Sequence, residues 1–266
     1  MSSVLHSSNV MKDEFGWEVP VESVPLPSKG LIYSPDSVLY NTETLQIKAM
    51  TALEEDILSS QAFIKEGTVV ENLIKSCLID KSVDVNNLIS GDRNALMVSI
   101  RITGYGTDYK VNHTCKSCSK SNDLNVDLSG LKIKRLTAEP KEQGKNLFFF
   151  DLPVTKKRVE FKFLTGHDQN EIETKEKRMK EIGMKTDGSI TSYLENVIVS
   201  VDGVSDKNKI HHFVKNMPAR DSRVLRKFIR ESEPGIDMSW EYNCSNCGTH
   251  NNFTIPMTSE FFWPST

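Results

Sequence analysis

Apolar positions along the chain change period several times, and each change predicts an element. Leu45-Gln46-Ile47-Lys48-Ala49-Met50 alternates apolar and polar, which predicts a half-buried strand. At Thr51 the period lengthens. Thr51-Ala52-Leu53-Glu54 has capping-box spacing, and Leu53, Ile57 and Leu58 recur at helical intervals. Further helices are predicted from Val69 to Leu78 and from Asp92 to Ile102, with Gly104 and Gly106 ending the second. Alternation then leads into Cys115-Lys116-Ser117-Cys118. Leu124, Val126 and Leu128 predict the strand beyond it, and Leu131-Lys132-Ile133 another. Phe148-Phe149-Phe150 and Val159, Phe161 and Phe163 mark a β segment within 138–163. Asp168 to Ile182 predicts a charged helix with a solvated face. Glu171/Lys175, Glu173/Lys177 and Glu176/Lys180 pair four residues apart, and Gly183 is placed to end it.

Both ends of the chain break these patterns. Pro20, Pro25 and Pro27 precede Ser28-Lys29-Gly30, and Tyr33 and Tyr40 bracket a Ser-Pro-Asp-Ser turn. Proline fixes φ and removes a donor, so residues 1–49 are expected to be an extended arm carrying one strand and partly wrapped over other surfaces. Phe261-Phe262-Trp263-Pro264 places three aromatics at the other end, where leaving them in water is unfavourable. They either cap this chain's own core or dock on a partner, and Pro25, Pro27 and Tyr33 in the arm carry the same two readings.

Shifting the sequence against itself brings out an internal similarity. At an offset of 129, Asp92 meets Asp221, Leu96 meets Leu225, Ile100 meets Ile229 and Arg101 meets Arg230. Gly106 meets Gly235, Asp108 meets Asp237, Cys115 meets Cys244, Cys118 meets Cys247 and Asn122 meets Asn251. Upstream, Glu71 to Ser76 resembles Glu195 to Ser200, and Met50-Thr51 resembles Leu164-Thr165. The expected architecture is α+β: two pseudo-symmetric repeats of helices followed by a β-knuckle, joined at a shared zinc-ribbon-like four-cysteine site. The boundaries read as an arm at 1–49, repeat 1 at 50–137, a β insertion at 138–163, repeat 2 at 164–256 and an aromatic tail at 257–266.

Cysteine usage defines the chemistry. Five cysteines are too few for a disulfide scaffold in 266 residues, and the polar stretch Met1 to Met11 has no leader-like apolar core, so a reducing compartment is expected. No apolar run reaches the roughly 18 residues needed to span a bilayer. Cys115 and Cys118 in one turn, and Cys244 and Cys247 in another, present four thiolates to one ion. A tetrahedral sulfur shell suits zinc, and a closed shell makes that zinc structural. Two redox dithiols, or a site partly filled by His113 or His250, are the alternatives. Strands on both sides of each turn argue against a thioredoxin-like dithiol, which sits at a helix start. Cys77, within an apolar helix, reads as a core residue.

The remaining side chains form no catalytic set. The six histidines show no metalloprotease spacing, and Gly104-Tyr105-Gly106 lacks the phosphate-loop pattern, so no enzyme and no small-molecule substrate are expected. Lys207, Lys209, Lys215, Arg220, Arg223, Arg226, Lys227 and Arg230 make 206–230 basic inside a chain of formal net charge −3. Interleaved Phe213, Val214, Val224, Leu225, Phe228 and Ile229 read as the core face of an amphipathic helix with a basic exterior. That exterior, with Arg223 and Arg226 foremost, suits an acidic protein. The alternative is a nucleic-acid-binding zinc-ribbon protein using this segment, which the overall acidic balance disfavours.

Several stretches together resemble a known family. They are Val24-Pro25-Leu26-Pro27-Ser28-Lys29-Gly30-Leu31-Ile32-Tyr33, Met50 through Leu58, Gly91-Asp92-Arg93-Asn94 through Gly106, and the first Cys-x-x-Cys. They resemble the T4-type baseplate hub proteins of contractile-tailed phages, over most of the chain from about residue 20 to 255. That family comprises a small hub subunit and a related hub assembly factor, two roles the residues do not separate. The resemblance implies a non-enzymatic structural or assembly protein whose partners are other baseplate hub proteins. It implies the host cytoplasm during assembly, with the virion tail as a second location.

Overall fold

Tight antiparallel hairpins alternate with helices, two of which, α1 (Ala52–Ser59) and α5 (Gly166–Glu181), have a first turn closed by a threonine and an acid three residues on. The computed structural model describes residues 6–12, 16, 18–181, 189–257 and 261–262. In the first half, β1 (His6–Lys12), β2 (Glu18–Pro25) and β3 (Thr44–Lys48) form an antiparallel sheet in that order. Then come α1 (Ala52–Ser59), α2 (Gln61–Glu66), α3 (Val69–Cys77) and α4 (Ser90–Tyr105). The hairpin of β4 (Asp108–Thr114) and β5 (Ser121–Asp127) follows, then a short β6 (Lys132–Lys134). The second half holds β7 (Phe148–Asp151), β8 (Arg158–Phe161), α5 (Gly166–Glu181), α6 (Ser189–Val197) and β9 (Ile198–Val201). It continues through α7 (Lys207–Asn216), α8 (Ala219–Ser232), β10 (Gly235–Asp237) and the hairpin of β11 (Ser239–Asn243) and β12 (His250–Thr254). β10 pairs antiparallel with β6 across the two halves. The expected α+β class is the observed one.

Local chemistry recurs between the halves. Thr51 donates its backbone N–H and hydroxyl to Glu54 Oε2 at 2.8 and 2.6 Å, and Thr165 does the same to Asp168 Oδ2 at 3.0 and 2.9 Å. Each acid also meets a lysine from the preceding strand segment, Lys48 at 2.8 Å and Lys162 at 2.6 Å. The hairpins ahead of these caps share a register. Val24 faces Leu45 and Phe150 faces Val159, with Leu45 and Val159 equally far ahead of their capping threonines.

Each half then pins a Leu-Pro loop onto a helix start. Asp92, buried in the first turn of α4, accepts hydrogen bonds from Ser28 N (2.9 Å), Ser28 Oγ (2.5 Å) and Tyr33 OH (2.6 Å). Asp221, buried in the first turn of α8, accepts from Val154 N (2.8 Å), Thr155 N (3.0 Å) and Thr155 Oγ1 (2.8 Å). Lys29 and Lys156 take left-handed conformations, φ 54° and 59°, where these loops turn away. Burial pushes the Asp92 carboxyl above the usual range. For Asp221 burial acts the same way, but the amides of Thr155 and Val154 outweigh it and hold the carboxyl low.

Several expectations need correction. Residues 18–48 are not an arm. Val24, Leu26, Ile32, Leu39, Leu45 and Ile47 lie in the core, because β2 and β3 pair and the loop between them is tied to Asp92. The β segment within 138–163 is not an insertion standing apart, since β8 pairs with β9 of the following helical region. Glu195 to Ser200 does not match α3, because it runs off α6 into β9. A similar pairing occurs instead at Leu78, bridged to Ile47, and at Ile198, paired with Phe161. α4 continues through Gly104, which packs against Met50, and stops where Gly106 reaches φ 81°. The charged helix α5 forms as expected, while Ile182 and Gly183 lie outside the described residues.

Candidate metal centre

Each Cys-x-x-Cys occupies the turn of a hairpin. Cys115 N donates to Lys120 O and Ser119 N to Cys115 O, both at 2.9 Å. Cys244 N to Thr249 O and Gly248 N to Cys244 O repeat this at 2.9 Å. The residue after each second cysteine must turn left-handed, as Ser119 (φ 57°) and Gly248 (φ 71°) do. These turns point all four sulfurs to one place. Cys115 Sγ lies 3.8 Å from Cys247 Sγ and Cys118 Sγ lies 3.7 Å from Cys244 Sγ, and all four lie within 4.8 Å of one another. Zinc–sulfur bonds of about 2.3 Å in a tetrahedron put neighbouring sulfurs about 3.8 Å apart, so the set fits such an ion.

Electrostatics favour thiolate at the first cysteine of each turn. The backbone amides of Cys118 and Ser117 draw the Cys115 thiol down to about 6, and those of Cys247 and Asn246 lower Cys244. Two asparagines lock one hairpin to the other. Asn122 Oδ1 accepts from Ser245 N and Ser245 Oγ, both at 3.0 Å, and Asn251 Oδ1 accepts from Lys116 N at 3.3 Å. Asn251 Nδ2 also donates to Cys115 Sγ at 3.5 Å. The asparagines align at the 129 offset, which is the signal that marks them, although by themselves they carry no ligand chemistry.

Neither histidine considered as a ligand joins the sulfurs. His113 Nδ1 shares a hydrogen bond with Tyr242 OH at 2.9 Å, and His250 lies against Asn243 and Glu241. Both turns join two strands, unlike a dithiol at a helix start. Cys77 is buried at the end of α3, where burial pushes its thiol up to about 12.

Most of the residues read as either core-capping or partner-docking meet this chain. Pro27 and Tyr33 are buried, Pro25 is half-buried, and the Tyr33 hydroxyl bonds Asp92 while accepting from Ile89 N. Phe261 and Phe262 are buried. The Phe261 ring packs on Tyr109 at 5.2 Å, and its carbonyl accepts from Arg101 Nε at 2.8 Å. Trp263 lies outside the described residues. Arg223 is exposed, and Arg226 is half-buried with its Nε donating to Ser222 O. The other basic residues of α7 and α8 lie on the surface, opposite the buried Ile210, Val214, Leu225 and Ile229.

Together these features define a mixed α+β protein whose halves each send a Cys-x-x-Cys hairpin into one four-cysteine cluster. No helix among the described residues is long and apolar enough to cross a membrane. The chain belongs to the T4 bacteriophage base plate protein family, which matches residues 26–263. That membership makes it a structural protein of the phage tail baseplate. Comparisons with curated proteins and with solved structures returned no match.

Proposed function

We propose that this chain is a non-enzymatic component of the baseplate hub, binding other hub proteins during tail assembly in the host cytoplasm and remaining in the tail. One structural zinc, held by Cys115, Cys118, Cys244 and Cys247, clamps two duplicated units, one running from β2 and β3 to the first knuckle and the other from β7 and β8 to the second. The convergence of four sulfurs from sites more than a hundred residues apart carries the clamp, because one ion held there would tie the two halves together. The matching caps, hairpin registers and buried aspartates support the duplication. Zinc would supply no chemistry beyond holding the thiolates, and its binding energy would add to folding.

Metal analysis of purified protein, followed by affinity capture from infected cells and a search for the chain in purified particles, tests this. One zinc per chain is expected, lost in Cys244→Ser together with about 10 °C of melting temperature, for a loss of about 4 kcal/mol. Protein without metal, or a Cys244→Ser variant that melts unchanged, would refute the clamp. Capture of no baseplate protein would refute the hub role.

A further inference from the structure

The helices behind the two capping threonines differ in one respect that the fold does not demand. On α1, Leu53 is 60% exposed and Ile57 half-buried, whereas α5 carries exposed His167 and Glu171 at the same distances from its cap. The polar pair shows that these positions tolerate water-loving side chains. α2 extends the apolar strip with Phe63 half-buried and Ile64 49% exposed, and it buries no residue at all. Exposed Glu55, Asp56 and Glu66 outnumber the one exposed cation of these two helices, Lys65, and leave the strip's surroundings net acidic. An apolar strip with an acidic rim asks for a partner with a basic rim.

The same chain presents such a face. Arg220, Arg223, Lys227 and Arg230 on α8 recur at three- and four-residue spacing, so they form one exposed stripe, and Lys215 of α7 is exposed as well. Among the described residues Lys227 has Glu231 at 3.8 Å, while Arg223 and Arg230 have no ion pair. Arginine stems cover apolar side chains while their guanidinium heads reach carboxylates or an aromatic face. We propose that the Leu53–Ile64 strip of one copy seats the α8 basic stripe of a second copy of this chain. The contact is head-to-tail, because two acidic rims repel each other in a face-to-face pair, and it therefore builds a ring or a filament. It does not depend on the hub role proposed above.

Sedimentation of the full-length, metal-loaded chain across protein concentration tests this, from about 0.05 M to about 1 M salt, where screening of exposed charges becomes strong. Association at low salt and its loss at high salt are expected. Leu53→Glu with Ile64→Glu, and Arg223→Glu with Lys227→Glu, should each leave only monomer. An equal mixture of these two variants should give a 1:1 dimer, because each keeps one intact face. Zero-length cross-linking of wild-type protein needs no variant to fold. It should join the Glu55–Asp56 peptide to peptides carrying Lys215 or Lys227 between chains. A wild-type monomer at every salt, an α8 variant that still associates, a mixture that stays monomeric, or retention of DNA without self-association would each overturn the proposal.

Discussion

His113 and Tyr242 stand 129 residues apart and touch, with a 2.9 Å hydrogen bond and rings edge to face at 5.6 Å. That separation is the offset that aligns the cysteines. In a two-fold contact, when residue i meets j the counterpart of j meets the counterpart of i, and a residue meets its own counterpart only beside the axis. The sulfurs obey the first rule, Cys115 with Cys247 and Cys118 with Cys244, and His113 with Tyr242 obeys the second. These contacts are the ones that a pseudo-two-fold passing beside this pair and through the four-sulfur cluster would give, and they support the duplication proposed above. Phe253 stacks on His113 at 4.6 Å and supports the junction from one side.

Asn122 and Asn251 hold the hairpins in this relation, so metal affinity should depend on them. Asn122→Ala leaves Ser245 N and Oγ without their shared acceptor and frees the second turn to drift. Zinc affinity measured against a competing chelator should fall about 10- to 100-fold, the usual cost of losing an outer partner of a metal site. Asn251→Ala should act similarly, since it removes the acceptor of Lys116 N and the donor to Cys115 Sγ. Asn252→Ala, whose side chain is exposed and donates to Glu241, should leave affinity unchanged, and an equal loss there would remove the specific role of the two asparagines.

What was legible in the residues was whatever repeats locally. The two Cys-x-x-Cys turns, the Thr51 cap and the apolar periods of α3, α4 and α8 could be read because each depends on neighbours in sequence. In the N-terminal segment the local signal points away from the structure, because proline argues locally against a sheet. Pro20 nevertheless sits in β2, where its carbonyl accepts from Ala49 N at 3.1 Å and the missing donor costs one bond. The burial of Phe261 against Tyr109 and the capture of Ser28 and Tyr33 by Asp92 join positions far apart in sequence, where neither propensity nor spacing carries a signal.

At Gly91 the backbones of the two halves approach closely. A Cβ there would stand 1.8 Å from Pro234 O and 2.7 Å from Pro234 C, atoms with no side-chain freedom to yield. Gly91→Ala should force α4 away from the segment entering β10 and lower stability by about 3 kcal/mol in urea unfolding. Gly130→Ala, with nothing within 4 Å, should leave stability unchanged or raise it by less than about 1 kcal/mol. Equal midpoints for the two variants would mean that the halves do not meet there.

Thiol reactivity separates a metal clamp from a pair of redox dithiols. Cys77 is fully buried, with its thiol pushed up to about 12, so it should react with an alkylating agent only after unfolding. With metal bound, the four clustered cysteines should also be protected, although Cys247 is exposed. Adding a chelator should release four reactive thiols, and denaturant a fifth. Rapid modification of Cys115 and Cys244 in the untreated native protein, followed by disulfide exchange, would favour the dithiol reading.

Acid sensitivity should trace to the capping carboxylates. Burial acts to raise the Glu54 carboxyl, but hydrogen bonds from Lys48, Ser76 and Thr51 outweigh it and hold it at about 2. The unfolded chain titrates this group near 4.3, so folding depresses its pKa. Its contribution is therefore complete above about pH 4.3 and is lost as pH falls toward about 2, amounting to roughly 3 kcal/mol at neutral pH. Asp168, held low against burial by Lys162 and Thr165, acts in the same direction. Asp92 opposes them: burial raises its folded pKa, so its contribution is present at low pH and is lost as pH rises through that value. Glu54→Gln removes only the first contribution. Its deficit against the parent in urea unfolding should be about 3 kcal/mol at pH 7, shrink below pH 4 and disappear near pH 2. A deficit that stays constant from pH 7 to pH 2 would mean that Glu54 contributes by shape and packing rather than by its charge.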